Sequence, residues 1–203
     1  MNNSVTADKR GPAAAVKPHS VCPWWIGYLL ASPIRRIFSP PSKLLAPHVR
    51  EGMTVLEPGP GMGFFTLELA RLAGASGRVI AVDVQSRMLD GLRRRAAKAG
   101  VLDRLDTRLA SPDSLGLADL EGTVDFTLAF AVVHELPDAS RFFREVARAS
   151  KAGARLLLAE PKGHVSDALF DAELRAARDA GFQLVASPSP LPGHQALLEE
   201  VRP

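Results

Sequence analysis

Short apolar runs alternate with longer amphipathic stretches along most of the chain. The runs are Val55–Glu57, Arg78–Asp83, Leu105–Ala110, Val124–Val133, Ala154–Ala159, Phe182–Ser187 and Gln195–Val201. They are short, apolar through their centres and bounded by turn residues, as buried strands are. Between them the apolar residues fall at helical spacing. After the first run Phe65, Leu67, Leu69, Ala70 and Leu72 are apolar while Glu68 and Arg71 are polar. A second helix is predicted over Arg87–Ala99, with Ser86 as its N-cap, Gly100 as its stop, and an inner stripe of Leu89, Leu92, Ala96 and Ala99. A third covers Ala139–Ser150, with Phe142, Phe143, Val146 and Ala147 facing inward, and a fourth runs from Val165 to Ala180 before Gly181. Lys151-Ala152-Gly153 reads as the turn into the fifth strand. Strands alternating with helices predict a three-layer α/β fold.

Two turns carry chemistry. The first strand ends in Glu57, and then Gly59, Gly61 and Gly63 alternate with Pro60 and Met62 before the helix begins. Strand, glycine turn and helix form a nucleotide-binding loop, because a Cβ would block a sharp turn or the close approach of a ligand. A dinucleotide fingerprint would place its third glycine where Phe64 stands. A carboxylate at Glu57 would repel a pyrophosphate and suit a cationic ligand free of phosphate. S-adenosylmethionine (SAM), with an ammonium and a sulfonium, is such a ligand. The phosphate-binding G-x-x-x-x-G-K-[ST] pattern does not occur in the chain. The second strand closes on Asp83, 22 residues after Gly61, where an acid accepts hydrogen bonds from ribose hydroxyls.

Taken in this order, Glu57, the three glycines and Asp83 make the chain resemble the class I SAM-dependent methyltransferases, from about Lys43 to the C-terminus. The resemblance implies a Rossmann-like, mostly parallel seven-stranded sheet of order 3-2-1-4-5-7-6, with the seventh strand antiparallel. It also implies a cofactor site made of Glu57, Gly59, Pro60, Gly61, Gly63, Asp83, Val84 and Ala131. The family often places an Asp after the third strand to bond the adenine amino group. Here Ala110-Ser111-Pro112-Asp113 stands there, which leaves Ser111 or Asp113 for that contact.

Methyl transfer from SAM asks the protein mainly for alignment and exclusion of water, and for a base only when the nucleophile arrives protonated. His134 and Glu135 leave the fourth strand and are the candidate catalytic residues; Glu160 and His164 leave the neighbouring fifth. His134 reads either as a base for a hydroxyl or thiol or as an orienting, capping group. By ligand type these four could hold a metal, but none is expected. No Asn-Pro-Pro-Tyr-like sequence follows the fourth strand, which argues against methylation of nucleic-acid bases or glutamine. The chain is more similar to the small-molecule methyltransferases, a group that includes quinone-biosynthesis enzymes. A non-catalytic SAM-binding module and an NAD(P)-dependent oxidoreductase are the competing readings.

Composition adds limits. The chain has 203 residues, 46% hydrophobic and 23% charged, enough for one domain with a proper core. Its net charge of +3 does not point to nucleic acid. The basic stretch Arg93, Arg94, Arg95 and Lys98 reads as a solvated helix face, since no aromatics interleave to stack bases. The single cysteine, Cys22, allows neither an internal disulfide nor a multi-cysteine metal site. Residues 1–20 lack the apolar core of a signal peptide, and no run approaches the roughly 20 apolar residues of a membrane span. A cytoplasmic protein is expected. Residues 1–20 read as a disordered tail and 46–203 as the SAM-binding domain. Between them, 21–45 form a helical arm holding Trp24, Trp25 and Tyr28. The arm packs on the core, or lies at a membrane surface beside Arg35 and Arg36, or, as the resemblance implies, closes over the site as a lid. Its apolar, aromatic character favours a flat or greasy small-molecule acceptor.

Overall fold

The structure, a computed structural model, describes residues 41–111, 113–188 and 193–201. The expected tail, and the arm up to residue 40, lie outside the described residues. Seven strands form one sheet: β1 (Thr54–Pro58), β2 (Arg78–Asp83), β3 (Leu105–Leu109), β4 (Val124–Phe130), β5 (Ser150–Glu160), β6 (Phe182–Ala186) and β7 (His194–Glu200). Their order is 3-2-1-4-5-7-6, as expected. The pairs β1–β2, β2–β3, β1–β4 and β4–β5 are parallel, whereas β7 runs antiparallel to both β5 and β6. Five helices complete the described fold: α1 (Pro41–Leu45), α2 (Thr66–Ala73), α3 (Ser86–Lys98), α4 (Ala139–Ala149) and α5 (Asp167–Asp179).

The alternation of side chains along each strand sorts the core into two halves. Leu56, Ile80, Val82, Leu156, Leu158 and Leu198 face one way, against Phe142, Phe143 and Val146 of α4 and Phe170 and Ala177 of α5. Val55, Val79, Leu128, Leu157 and Leu197 face the other, against Leu69 and Ala70 of α2, Leu44 and Leu45 of α1 and Ala96 of α3. Covered on both sides, β1 and β2 are continuously apolar until their terminal acids. This parity decides where those acids go. Glu57 and Asp83 leave on the side of Val55 and Val79, while Glu160 leaves on the side of Leu156 and Leu158.

Four local boundaries differ from the sequence reading. β4 stops at Phe130 rather than Val133, because Ala131 takes a left-handed backbone (φ 52°) that no strand continues, and Val133–Glu135 form a 3-10 turn. β5 begins at Ser150, so Lys151–Gly153 are an irregularity inside the strand: the register passes from Val124↔Ser150 to Phe126↔Arg155, and Gly153 supplies φ 74°. Ser86 is the first helical residue of α3, not its cap. Gln85 holds the extended cap position, and its N–H goes to Asp83 Oδ1 at 2.8 Å. α5 starts two residues after Val165, capped by the Ser166 hydroxyl, which accepts the Leu169 N–H.

Candidate functional site

The sheet order reverses between β1 and β4, and the crevice beyond the carboxyl ends of the strands opens there. The glycine turn lines one side of it. Gly59, Gly61 and Gly63 all have left-handed φ, of 67°, 54° and 83°. The Gly59 N–H is tied to the Val82 carbonyl at 2.9 Å, which fixes the start of the turn on β2. A Cβ at Gly59 would come within 2.8 Å of Val132 Cγ2, and one at Gly63 would strike Leu92 Cδ1. At Gly61 a Cβ would meet nothing within 4 Å. Gly59 and Gly63 therefore serve packing, and Gly61 presents bare backbone to open space. From α3, Arg95 donates a hydrogen bond to the Met62 carbonyl and holds the far end of the turn.

Glu57 stands directly beneath this turn. It is 3% exposed, and its Oε2 has no hydrogen-bond partner among the described residues. Burial pushes its pKa up to about 8; the Thr66 hydroxyl alongside offsets part of this without completing a hydrogen bond, and the Asp83 charge adds to it. Asp83 is also buried, and its pKa rises to about 6. Burial is the main cause, the amides of Gln85, Gly61 and Val84 oppose it, and the Glu135 charge reinforces it. Two acids thus lie under one glycine turn, and among the described residues no cation shifts the pKa of either. Val84 is 41% exposed beside Asp83, and Ala131 begins the turn that carries Val132 over Gly59. The left-handed Ala131 costs roughly 1–2 kcal/mol, the kind of local strain that marks functional turns. Ser111 lies on the surface after β3, its hydroxyl directed to the Ser114 carbonyl at 3.5 Å within its own loop. Pro60 is buried inside the glycine turn.

The two candidate catalytic residues diverge. Glu135 acts electrostatically on Asp83 and so belongs partly to the cofactor side. His134 turns its Nδ1 edge the other way, toward β5. Its Nδ1 lies 2.6 Å from Glu160 Oε2, while Glu160 Oε1 accepts the Val133 N–H at 2.8 Å. The His164 ring lies beside it, 5.8 Å away between centroids. With both oxygens occupied, the Glu160 carboxylate is an internal anchor. Glu160, which the sequence places at the exit of the strand next to His134, has its side chain fully buried. Sequence reasoning overlooked Glu173, a carboxyl on the inner face of α5, 2% exposed and with no partner for either oxygen among the described residues. The available signal was an acid in the apolar stripe Phe170–Glu173–Ala177.

This sheet order, the glycine turn and its two acids define a class I SAM-dependent methyltransferase. The chain belongs to the methyltransferase domain family, whose profile matches residues 56–158. Over 113 residues it is 33% identical to the ubiquinone/menaquinone biosynthesis C-methyltransferase UbiE of Klebsiella pneumoniae, a match that covers 55% of this chain and 44% of that protein. The chain thus spans less than half the length of that relative. Among solved structures it is similar to a SAM-dependent methyltransferase from Aquifex aeolicus, with 25% identity and a TM-score of 0.77 over 89% of this chain and all of that one. A SAM-dependent O-methyltransferase from Thermotoga maritima, 19% identical with a TM-score of 0.60 over 84% of this chain and 66% of that one, shares the fold. No described helix is long and apolar enough to cross a membrane.

Proposed function

We propose that the chain transfers the methyl group of SAM to a small, apolar or aromatic acceptor, and that Glu57 is the residue that selects this cofactor. The observation that carries the reading is the buried Glu57 carboxyl, one oxygen of which has no partner among the described residues, under a glycine turn whose Gly61 backbone faces open space. The fit is chemical: an orphaned acid in a low-dielectric site gains most from a ligand that brings a cation and no phosphate. Gly59, Pro60, Gly61 and Gly63 would pass the backbone close to the ligand, with Asp83 taking the ribose hydroxyls and Val84, Ala131 and Ser111 flanking. When bound, SAM supplies an electrophilic methyl group.

What remains for the chain is to orient the acceptor and to keep water out. His134 and Glu135 stand at the end of β4 for that work. The likeness to a quinone-biosynthesis C-methyltransferase and the aromatic residues of the arm support a flat acceptor. A thermal-shift titration of the full chain tests the cofactor assignment: SAM and S-adenosylhomocysteine should raise the melting temperature with the logarithm of their concentration. NAD should leave it in place. A shift with NAD and none with SAM would overturn the proposal.

A further inference from the structure

Two carboxyls sit behind His134, and their surroundings differ sharply. Glu160 ends β5 with its side chain fully buried, receiving a backbone N–H on one oxygen and the imidazole on the other. Glu173 comes from α5. One turn earlier on the same helix face, Phe170 stacks on His194 at 4.9 Å, and His194 is the cross-strand partner of Glu160. Glu173 therefore looks onto the Glu160 end of β5 from the helix layer, with no donor for either oxygen among the described residues. Burial, and after it the charge of Glu160, push its pKa up to about 8.

A carboxylate on Nδ1 keeps the ring hydrogen there and leaves the lone pair on Nε2. That nitrogen makes no hydrogen bond among the described residues, and the ring keeps 12% of its surface exposed. The Glu160 hydrogen bond raises the His134 pKa, burial opposes this, and the charges of Glu160, Glu135 and Glu173 add to the rise. The titratable groups around it are Glu135 and His164 on the adjoining loops, Glu160 on β5, His194 on β7 with Asp167 at 3.6 Å from its Nε2, and Glu173 on α5.

We propose that His134 is a general base held by Glu160 as its positioning residue, with Glu173 behind it. On this view the acceptor is a compound that gives up an acidic O–H or activated C–H: a hydroxy-arene or an enol. The inference rests on the methyltransferase reading above. The acceptor's proton passes to His134 Nε2, and the electron pair it leaves forms the bond to the methyl carbon. The methyl–sulfur pair stays on sulfur. The positive charge that SAM loses thus ends on an imidazolium beside the Glu160 carboxylate, where it is stabilised.

Two measurements on the full chain test this. In ¹⁵N-histidine spectra with SAM bound, His134 (identified by H134Q) should be the Nδ1–H tautomer when neutral, and E160Q should lower its titration midpoint. An Nε2–H tautomer, or a midpoint unmoved by E160Q, overturns the inference. Methyl transfer from labelled SAM to 2-naphthol, catechol and 4-hydroxycoumarin is the second arm. Transfer to at least one is expected, with kcat reduced about a hundred-fold or more in H134Q and KM little changed. The acid limb should move to lower pH in E160Q, and E173Q should remove an inflection near pH 8. No transfer to any of the three while SAM still binds, or full turnover by H134Q, refutes the base and its acceptor class. Failure to bind SAM at all would instead refute the underlying methyltransferase reading.

Discussion

The two ends of the crevice treat buried carboxyls in opposite ways. Under the glycine turn, Glu57 is sealed from water and has an oxygen with no partner among the described residues. Beyond β4 and β5, Glu160 is just as deeply sealed and has both oxygens filled by the chain itself. Burying an acid without a donor costs free energy that a packed hydrophobe would not. The acid under the turn has capacity left for a ligand, as proposed above, whereas Glu160 is a mount for the groups it holds. Val132 joins the two ends: its side chain abuts Gly59, and the next residue gives its N–H to Glu160.

Breaking the mount should have the largest effect. Glu160→Ala leaves the Val133 N–H and the His134 ring without their partner and is expected to destabilise the fold by about 3–5 kcal/mol, read from urea denaturation. A loss below about 1 kcal/mol would mean that the pair behaves like a surface contact. Next comes the joint between the ends. Gly59→Ala forces a left-handed alanine, at roughly 1–2 kcal/mol, and pushes Val132 aside. It should weaken SAM binding while E160A, assayed at a temperature where it is folded, weakens turnover more than binding.

The third effect is the most diagnostic of sign. Glu57 ionises near its ordinary 4.5 in the unfolded chain and at about 8 in the fold. Its protonated form therefore favours the fold below pH 4.5, and this contribution drains away as pH rises through 8. Glu57→Gln escapes that loss. Without ligand, the variant should gain on the natural chain from about pH 4.5 upward and level off above pH 8, as seen in melting temperatures across pH. A variant that is less stable throughout would show that Glu57 has a partner in the protein.

Most of this comparison was legible in the residues on the cofactor side. Strand, acid, alternating glycines and a second acid are local in sequence, so the order of residues is already the order of the site. The sheet order followed once that segment was placed. The β4–β5 end was less legible because it is assembled from residues distant in sequence. His134 and Glu160 meet only through strand parity and the neighbouring of β4 and β5, and Glu173 arrives from a helix after both. The early end of β4 was hidden by an alanine, since nothing in the type of residue announces a left-handed backbone at Ala131. Lys151–Gly153 reads locally as a turn, and only the pairing with Val124 shows that the strand has already begun.

On the reading proposed above, Glu57 waits, protonated, for a cation. Calorimetric titration of SAM at pH 7, in two buffers of different ionisation enthalpy, tests it most directly. A carboxyl with a pKa of about 8 that ionises on meeting the ligand must release about one proton per site. The account predicts that release in the natural chain and its disappearance, together with a roughly ten-fold or greater loss of affinity, in Glu57→Gln. Tight SAM binding with no proton released, or with Glu57→Gln binding as well as the natural chain, would contradict it.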